Sequence, residues 1–170
     1  MTLFLLKLFE KTLGRIWRTY EWEGIKRYFL WRGKRFSIFL HKIKQADTAK
    51  DPHDHPFDFW GKVLSGGYRE DRYIQGIEAG NQLRTWVKWA EWPNEHMGWY
   101  KRYSDDIHHI SWVAPNTWTL IITGPRFVDD NGDASWGFWR GAGRKLKSGV
   151  TYVPFKKYLG YKADDKREID

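Results

Sequence analysis

The chain contains six histidines, His41, His53, His55, His96, His108 and His109, and four of them fall in two tight groups. The first is Asp51-Pro52-His53-Asp54-His55-Pro56, leading into an apolar run. The second is Ile107-His108-His109-Ile110, inside one. On extended backbone a His-x-His pair places both imidazoles on the same side of the chain. A third imidazole from a neighbouring strand then completes one face of a divalent transition metal such as Fe, Mn, Ni or Zn. The opposite face stays open to a ligand. The chain has no cysteine, hence no thiolate ligand, thiol nucleophile or disulfide, so a histidine site is the natural transition-metal site for it to build.

The elements that must position these rings are mostly short strands. Residues 35–43, 59–64, 68–74, 83–89, 107–113, 117–123 and 135–139 alternate or run apolar between turn residues. Ser65-Gly66-Gly67 predicts a hairpin joining 59–64 to 68–74. Residues 46–56 read as a polar loop. Asp129-Asp130-Asn131-Gly132-Asp133 reads as a hairpin turn, because its Gly is misplaced for a calcium loop and no closing Glu follows. Ahead of the strands, Leu5, Leu6, Phe9, Leu13, Ile16, Trp17 and Tyr20 recur at helical spacing and predict an amphipathic helix over residues 3–20. Many short strands with regular turns imply a sandwich or barrel. The expected organisation is an N-terminal helix (1–24), a β-barrel (25–140) and a C-terminal extension (141–170) that packs on the barrel and frays at its end.

With 29 Lys and Arg against 21 Asp and Glu, the net charge of +8 favours anions without naming one. A small anionic ligand fits this surface better than a nucleic acid. No stretch resembles a membrane span, so a cytoplasmic protein is expected. The apolar helix stripe suits a contact within the chain or with a second subunit, and a homodimer is expected. Twelve tryptophans accompany the strands. Trp60, Trp86, Trp112 and Trp118 are candidate stacking walls for a sugar or base, although core packing accounts for most tryptophans.

The segment from His53-Asp-His55-Pro to Gly66-Gly67-Tyr68-Arg-Glu70 resembles the first motif of the cupins. In particular the chain is similar to small cupin-like proteins of phage and bacterial genomes. Residues 36–43, 107–110, 118–126 and 136–138 extend the resemblance over roughly residues 27–139. It implies a double-stranded β-helix, or jelly-roll, barrel with His53 and His55 as the first two metal ligands. The third ligand is His108 or His109. Alternation favours His108, which would share a face with Ile110 and Trp112, whereas counting from Gly98 favours His109. The family's glutamate ligand has no counterpart: its place falls on Phe59 or Trp60, with Asp58 one or two positions early and Glu70 on the next strand.

Other candidates for the site are Glu70 as a general base, Tyr68 beside it, Arg126 as a clamp for a carboxylate or phosphate, and His41 on an inward strand face. Together these residues predict a metal-dependent enzyme acting on a small molecule, of oxygenase, isomerase or hydrolase type. The alternative is a non-catalytic barrel that holds a sugar, nucleotide or other anionic ligand. A 2-oxoglutarate oxygenase is disfavoured, because the expected His-x-Asp is replaced by His53-Asp-His55.

Overall fold

The computed structural model describes residues 2–12, 19–22, 24–49, 51–75, 83–89, 98–140 and 151–158, with the backbone alone for residues 2, 74–75 and 83–89. The chain is mostly β. Helix α1 (Thr2–Lys11) is followed by β1 (Thr19–Trp22), β2 (Ile25–Arg32), β3 (Ser37–Ile43), β4 (Phe59–Ser65), β5 (Tyr68–Gln75) and β6 (Leu83–Trp89). Then come β7 (Tyr100–Arg102), β8 (Ile107–Val113), β9 (Thr117–Thr123), β10 (Gly137–Arg140), β11 (Thr151–Pro154) and a 3-10 turn (Phe155–Lys157). One sheet has the order β1-β2-β3-β9-β4-β7, and its pairs are antiparallel.

The second sheet is assembled from β6-β5-β8 and β10-β11. Residues 52–54 join the two parts: His53 forms a bridge with His108 of β8 and another with Phe138 of β10. His53 and His108 exchange both backbone hydrogen bonds at 2.9 Å, and the Trp139 N–H donates to the Pro52 carbonyl at 2.8 Å. With residues 52–54 taken as a strand, β3-β9-β4-β7 faces (52–54)-β8-β5-β6. From β3 to β10 the chain crosses between the sheets at every connection except β5 to β6. That order is a jelly roll.

Several expectations are corrected. The described helix is Thr2–Lys11, residues 13–18 of the expected helix lie outside the described residues, and Thr19–Trp22 is an edge strand paired to β2. The Gly66 turn does not close a hairpin, since β4 pairs with β7 and β9 while β5 pairs with β6 and β8. Gly66 instead takes φ +65, and the Gly67 N–H donates to Thr117 Oγ1 at 3.0 Å, so the turn carries the chain from one sheet to the other. The described residues of 46–56 are irregular, as expected of a loop, but Asp51, Pro52, His53 and Asp54 are buried and His53 bridges two strands. The turn at Asp129–Asp133 closes only the isolated Val128–Ala134 bridge, and β10 pairs with β11 rather than β9. Of the C-terminal extension, Thr151–Pro154 lies on the barrel through this pairing, and the expected frayed end is outside the described residues.

Three apolar clusters hold the frame. Phe39, Phe59 and Ile121 pack on the barrel's inner side. Leu6 of α1 packs with Tyr28, Leu40 and Trp118 on the outside of the first sheet. There Glu10 accepts hydrogen bonds from the Tyr28 hydroxyl (3.1 Å) and Lys42 Nζ (2.8 Å), which tie down the polar edge of the helix. Phe138 stacks on Tyr158, with centroids 3.9 Å apart, and this fastens the C-terminal segment to β10. No described helix is long and apolar enough to cross a membrane.

Candidate metal centre

The ladder between His53 and His108 sets the site, because directly paired residues of an antiparallel ladder put their side chains on one face, close together. Their ring centroids are 4.7 Å apart. His55, two residues on, lies on the same side of the chain, with its centroid 4.7 Å from His108 and 5.3 Å from His53. Each of the three rings offers a nitrogen within 4.8 Å of the others, and no other such cluster of acidic and histidine ligands exists among the described residues. His109 is on the opposite side of β8, with Nε2 3.1 Å from the Ala49 carbonyl. Of the two candidates for third ligand, the structure brings His108 to the group.

Behind His108 stands a buried charged chain. Its Nδ1 is 2.5 Å from Glu70 Oε1, so with the proton on Nδ1 the ring donates to the carboxylate. Glu70 also accepts from Arg102 Nε at 3.0 Å and Nη2 at 2.7 Å. Glu70, Arg102 and His108 are only 2%, 5% and 6% exposed. Burial works to raise the Glu70 pKa, but His108 and Arg102 outweigh it and hold the carboxyl well below the usual carboxylate range. Glu70 is therefore ionised and already fully partnered. It does not line the cavity. This removes the expected general base and leaves a group that fixes the His108 tautomer, with Nε2 facing its two neighbours.

Burial also pushes His53 and His55 well below the ordinary imidazole range. The charge that His108 would carry adds to the effect, and Glu70 opposes it only in part. Both rings are thus neutral near pH 7, the form that binds metals. The donor set fits an ion in a second respect. His55 Nε2 and His108 Nε2 converge to 2.8 Å, where one ring N–H donates to the other ring nitrogen, and a bound ion would take the place of that proton. His53 Nδ1 is buried without a hydrogen-bond partner, 3.8 Å from Asp47 Oδ2. An orphaned polar atom inside a fold calls for an explanation, and a bound ion or water is a usual one.

The triad opens onto a cavity of about 530 Å³ between the sheets. Tyr68 lines it, with its hydroxyl 2.8 Å from that of Tyr100. Tyr100 reaches this position by lying against Gly61, where a Cβ would stand 2.2 Å from its ring. Burial raises both phenols, Tyr68 well above its ordinary value and Tyr100 to about 12, so both are protonated at neutral pH. Arg126 is exposed and lines the cavity. His41 faces the cavity as expected, stacked on Phe39 and accepting from Arg27 Nε at 2.9 Å.

Trp60, Trp112 and Trp118 do not line the cavity. Trp60 and Trp112 are 49% and 46% exposed, and Trp118 is buried beneath α1. A bulge in the β5–β8 ladder leaves Ser111 unpaired and sets Trp112 opposite Arg69, so Trp112 leaves the face of His108 and Ile110. The Trp86 side chain and His96 are outside the described residues. Trp22 and Trp136 line the cavity instead. Sequence reasoning also missed Arg102 and Asp47. The aromatic-rich Trp99-Tyr-Lys-Arg-Tyr103 run was the available signal for the short strand that carries Arg102.

No protein-family model matches the chain, and no curated protein matches it. Among solved structures it is similar to KdgF from Halomonas sp., at 16% identity over 69% of this chain and 92% of that one, with a TM-score of 0.44. It is also similar to an RmlC-like cupin from Shewanella frigidimarina, at 12% identity over 66% and 86% of the two chains, with a TM-score of 0.42. A third is Pac13, a nucleoside dehydratase of Streptomyces, at 8% identity over 82% and 86%, with a TM-score of 0.42. At these scores the barrel assignment rests on the strand order and register given above.

Proposed function

We propose that this barrel is a metal-dependent enzyme acting on a small molecule, with a divalent transition metal held by His53, His55 and His108. The observation that carries the reading is the convergence of three imidazoles at the cavity wall, one of them locked by the buried Glu70–Arg102 pair. A bound ion there would supply Lewis-acid polarisation or, as Fe(II), an open coordination face for oxygen chemistry. The chain's own residues do the rest. Glu70 holds the His108 ring with Nε2 forward. In the Tyr68–Tyr100 pair one hydroxyl donates to the other, which leaves one O–H to donate to a ligand. Phe39, Phe57 and Phe59 line the inner walls and displace water from around the ligand.

Elemental analysis of protein purified without added metal tests this. The wild-type chain should carry about one equivalent of a transition metal, and His53→Ala with His55→Ala should lose it. Unchanged content in that double variant overturns the reading. A non-catalytic holder of a sugar, nucleotide or other anionic ligand is the second reading. It is favoured by the carboxylates: Glu70 does not line the cavity, and Asp47 Oδ2 accepts the Ile110 N–H at 2.7 Å. Ligand binding that survives a chelator, with no turnover by the metal-loaded protein, would select it.

A further inference from the structure

Resting on the cavity reading above, we infer that the entrance of the barrel is an anion-selecting vestibule, and that its ligand is a small molecule bearing a phosphate or carboxylate group. The cations Arg27, Arg32, Lys34, Arg126 and Lys156 line the cavity, and the one carboxylate among its described lining residues is Asp47. Asp47 is 3% exposed, beside His53, and does not offset charge at the entrance. The cations arrive from separate parts of the chain: β2 carries Arg27 and Arg32, its turn into β3 carries Lys34, the segment after β9 carries Arg126, and the 3-10 turn carries Lys156. Lys34, Arg126 and Lys156 are exposed, as is Arg32, whereas Arg27 is half-buried. Lys156 also reaches Asp133, but both side chains are over a third exposed, and such a pair holds its partners weakly.

Two of these groups are held in place by rings. The guanidinium carbons of Arg27 and Arg32 lie 5.9 and 5.7 Å from the Phe29 centroid, and that of Arg27 lies 4.5 Å from the Phe39 centroid. A cation resting on an aromatic face loses less freedom when it meets an anion. Like charges lining one cavity repel one another, and a concave low-dielectric wall focuses their field. An entering anion relieves that repulsion, while the phenylalanine walls accept an uncharged body. The cavity's 530 Å³ suits a ligand of that size.

Calorimetric titration of matched ligands tests the inference: glucose 6-phosphate against glucose, adenosine 5′-monophosphate against adenosine, and succinate against succinamide. The protein is used as purified and again after dialysis against a chelator, with metal content measured on each sample. At least one charged member should bind about tenfold tighter than its neutral partner, the low end for a hydrogen bond to a charged group. The preference should survive chelation and disappear in Arg32→Ala with Arg126→Ala, at unchanged metal content and unfolding midpoint. Preference for a phosphorylated ligand or for succinate identifies the group. Equal binding within every pair, no binding by any charged member, or a preference lost on chelation overturns the inference. A preference kept by protein that never held metal sustains the vestibule and removes the triad reading, so the two fail separately.

Discussion

Replacing Glu70 by Gln removes one charge and almost no volume from the buried chain Arg102–Glu70–His108, whose members are 5%, 2% and 6% exposed. The carboxylate receives two bonds from Arg102 and is within 2.5 Å of His108 Nδ1. An amide has a single oxygen for these donors and turns an NH₂ toward the remainder, which leaves the guanidinium charge uncompensated. Breaking a buried pair in this way costs ~3–5 kcal/mol, a large share of the ~5–15 kcal/mol that holds a domain. Affinity for metal should fall about 10–100-fold, as it does when a ligating imidazole loses its carboxylate partner. Urea unfolding reads the first effect, and competition with a chromophoric chelator reads the second. The double substitution Glu70→Leu with Arg102→Met separates them: it removes both charges, so most of the stability should return. Metal affinity should stay low, because His108 Nδ1 still lacks its acceptor. A wild-type midpoint for Glu70→Gln would refute the buried pair. Recovery of metal affinity together with stability in the double variant would refute the orienting role.

Three further outcomes follow from the geometry. His109→Ala should retain the full metal content and differ from wild type by about 1 kcal/mol in stability, because it loses one contact to the Ala49 carbonyl; metal loss there would move the site. In chelator-treated protein, stability should fall as pH drops below ~6.5: the folded state keeps His41, His53 and His55 neutral by burial, so the unfolded chain binds more protons. The slope is at most ~1.4 kcal/mol per pH unit for each ring, and Glu70, whose folded pKa is depressed, adds a loss below ~4.3; urea midpoints that stay flat from neutral to mildly acidic pH would contradict this. Gly66→Ala should cost ~1–3 kcal/mol, since φ is +65 and the new Cβ would lie 2.5 Å from Thr117 Oγ1; a thermal melt unchanged from wild type would show that the turn can relax.

Period-two patterning made the strands legible. The sequence reading places Leu83–Trp89, Ile107–Val113 and Thr117–Thr123 at their observed bounds, because each runs apolar or alternating between turn residues. It also gathers His53 and His55 with His108 or His109, a choice that only the ladder geometry makes. Pairing partners were not legible, and the Gly66-Gly67 turn illustrates why. Its composition suits a hairpin, but its conformation is tied to Thr117, fifty positions away in sequence. The Trp112 error has a similar source: one unpaired residue in β8 reverses every later side chain, and no local signal marks it. The expected helix runs too far at its end because Tyr20 continues the apolar spacing, while Tyr20 in fact belongs to β1. Arg102 was invisible as a functional residue because its partner Glu70 is 32 positions distant and their meeting depends on two sheets closing.

The placement of His53 joins fold and site in one residue. The second sheet is continuous between β8 and β10 only through residues 52–54, where His53 pairs with His108 on one side and Phe138 on the other. The same backbone pairing that closes the sheet sets the distance between two of the three rings. No loop has to find its position afterwards, so the imidazoles are held by ladder geometry and lose little further freedom when they meet a ligand. Asp54 strengthens the join by accepting from the Gly137 N–H at 2.6 Å and Trp139 Nε1 at 3.1 Å. A substitution that loosens residues 52–54 therefore disturbs the sheet seam and the site together. By contrast, His53→Ala keeps its backbone bonds and removes only the ring. Comparing Asp54→Ala with His53→Ala separates the two roles: the first should lower both stability and metal affinity, and the second mainly metal affinity. If Asp54→Ala weakened the fold yet left metal affinity intact, the rings would be positioned independently of the seam, and the argument from ladder geometry would fail.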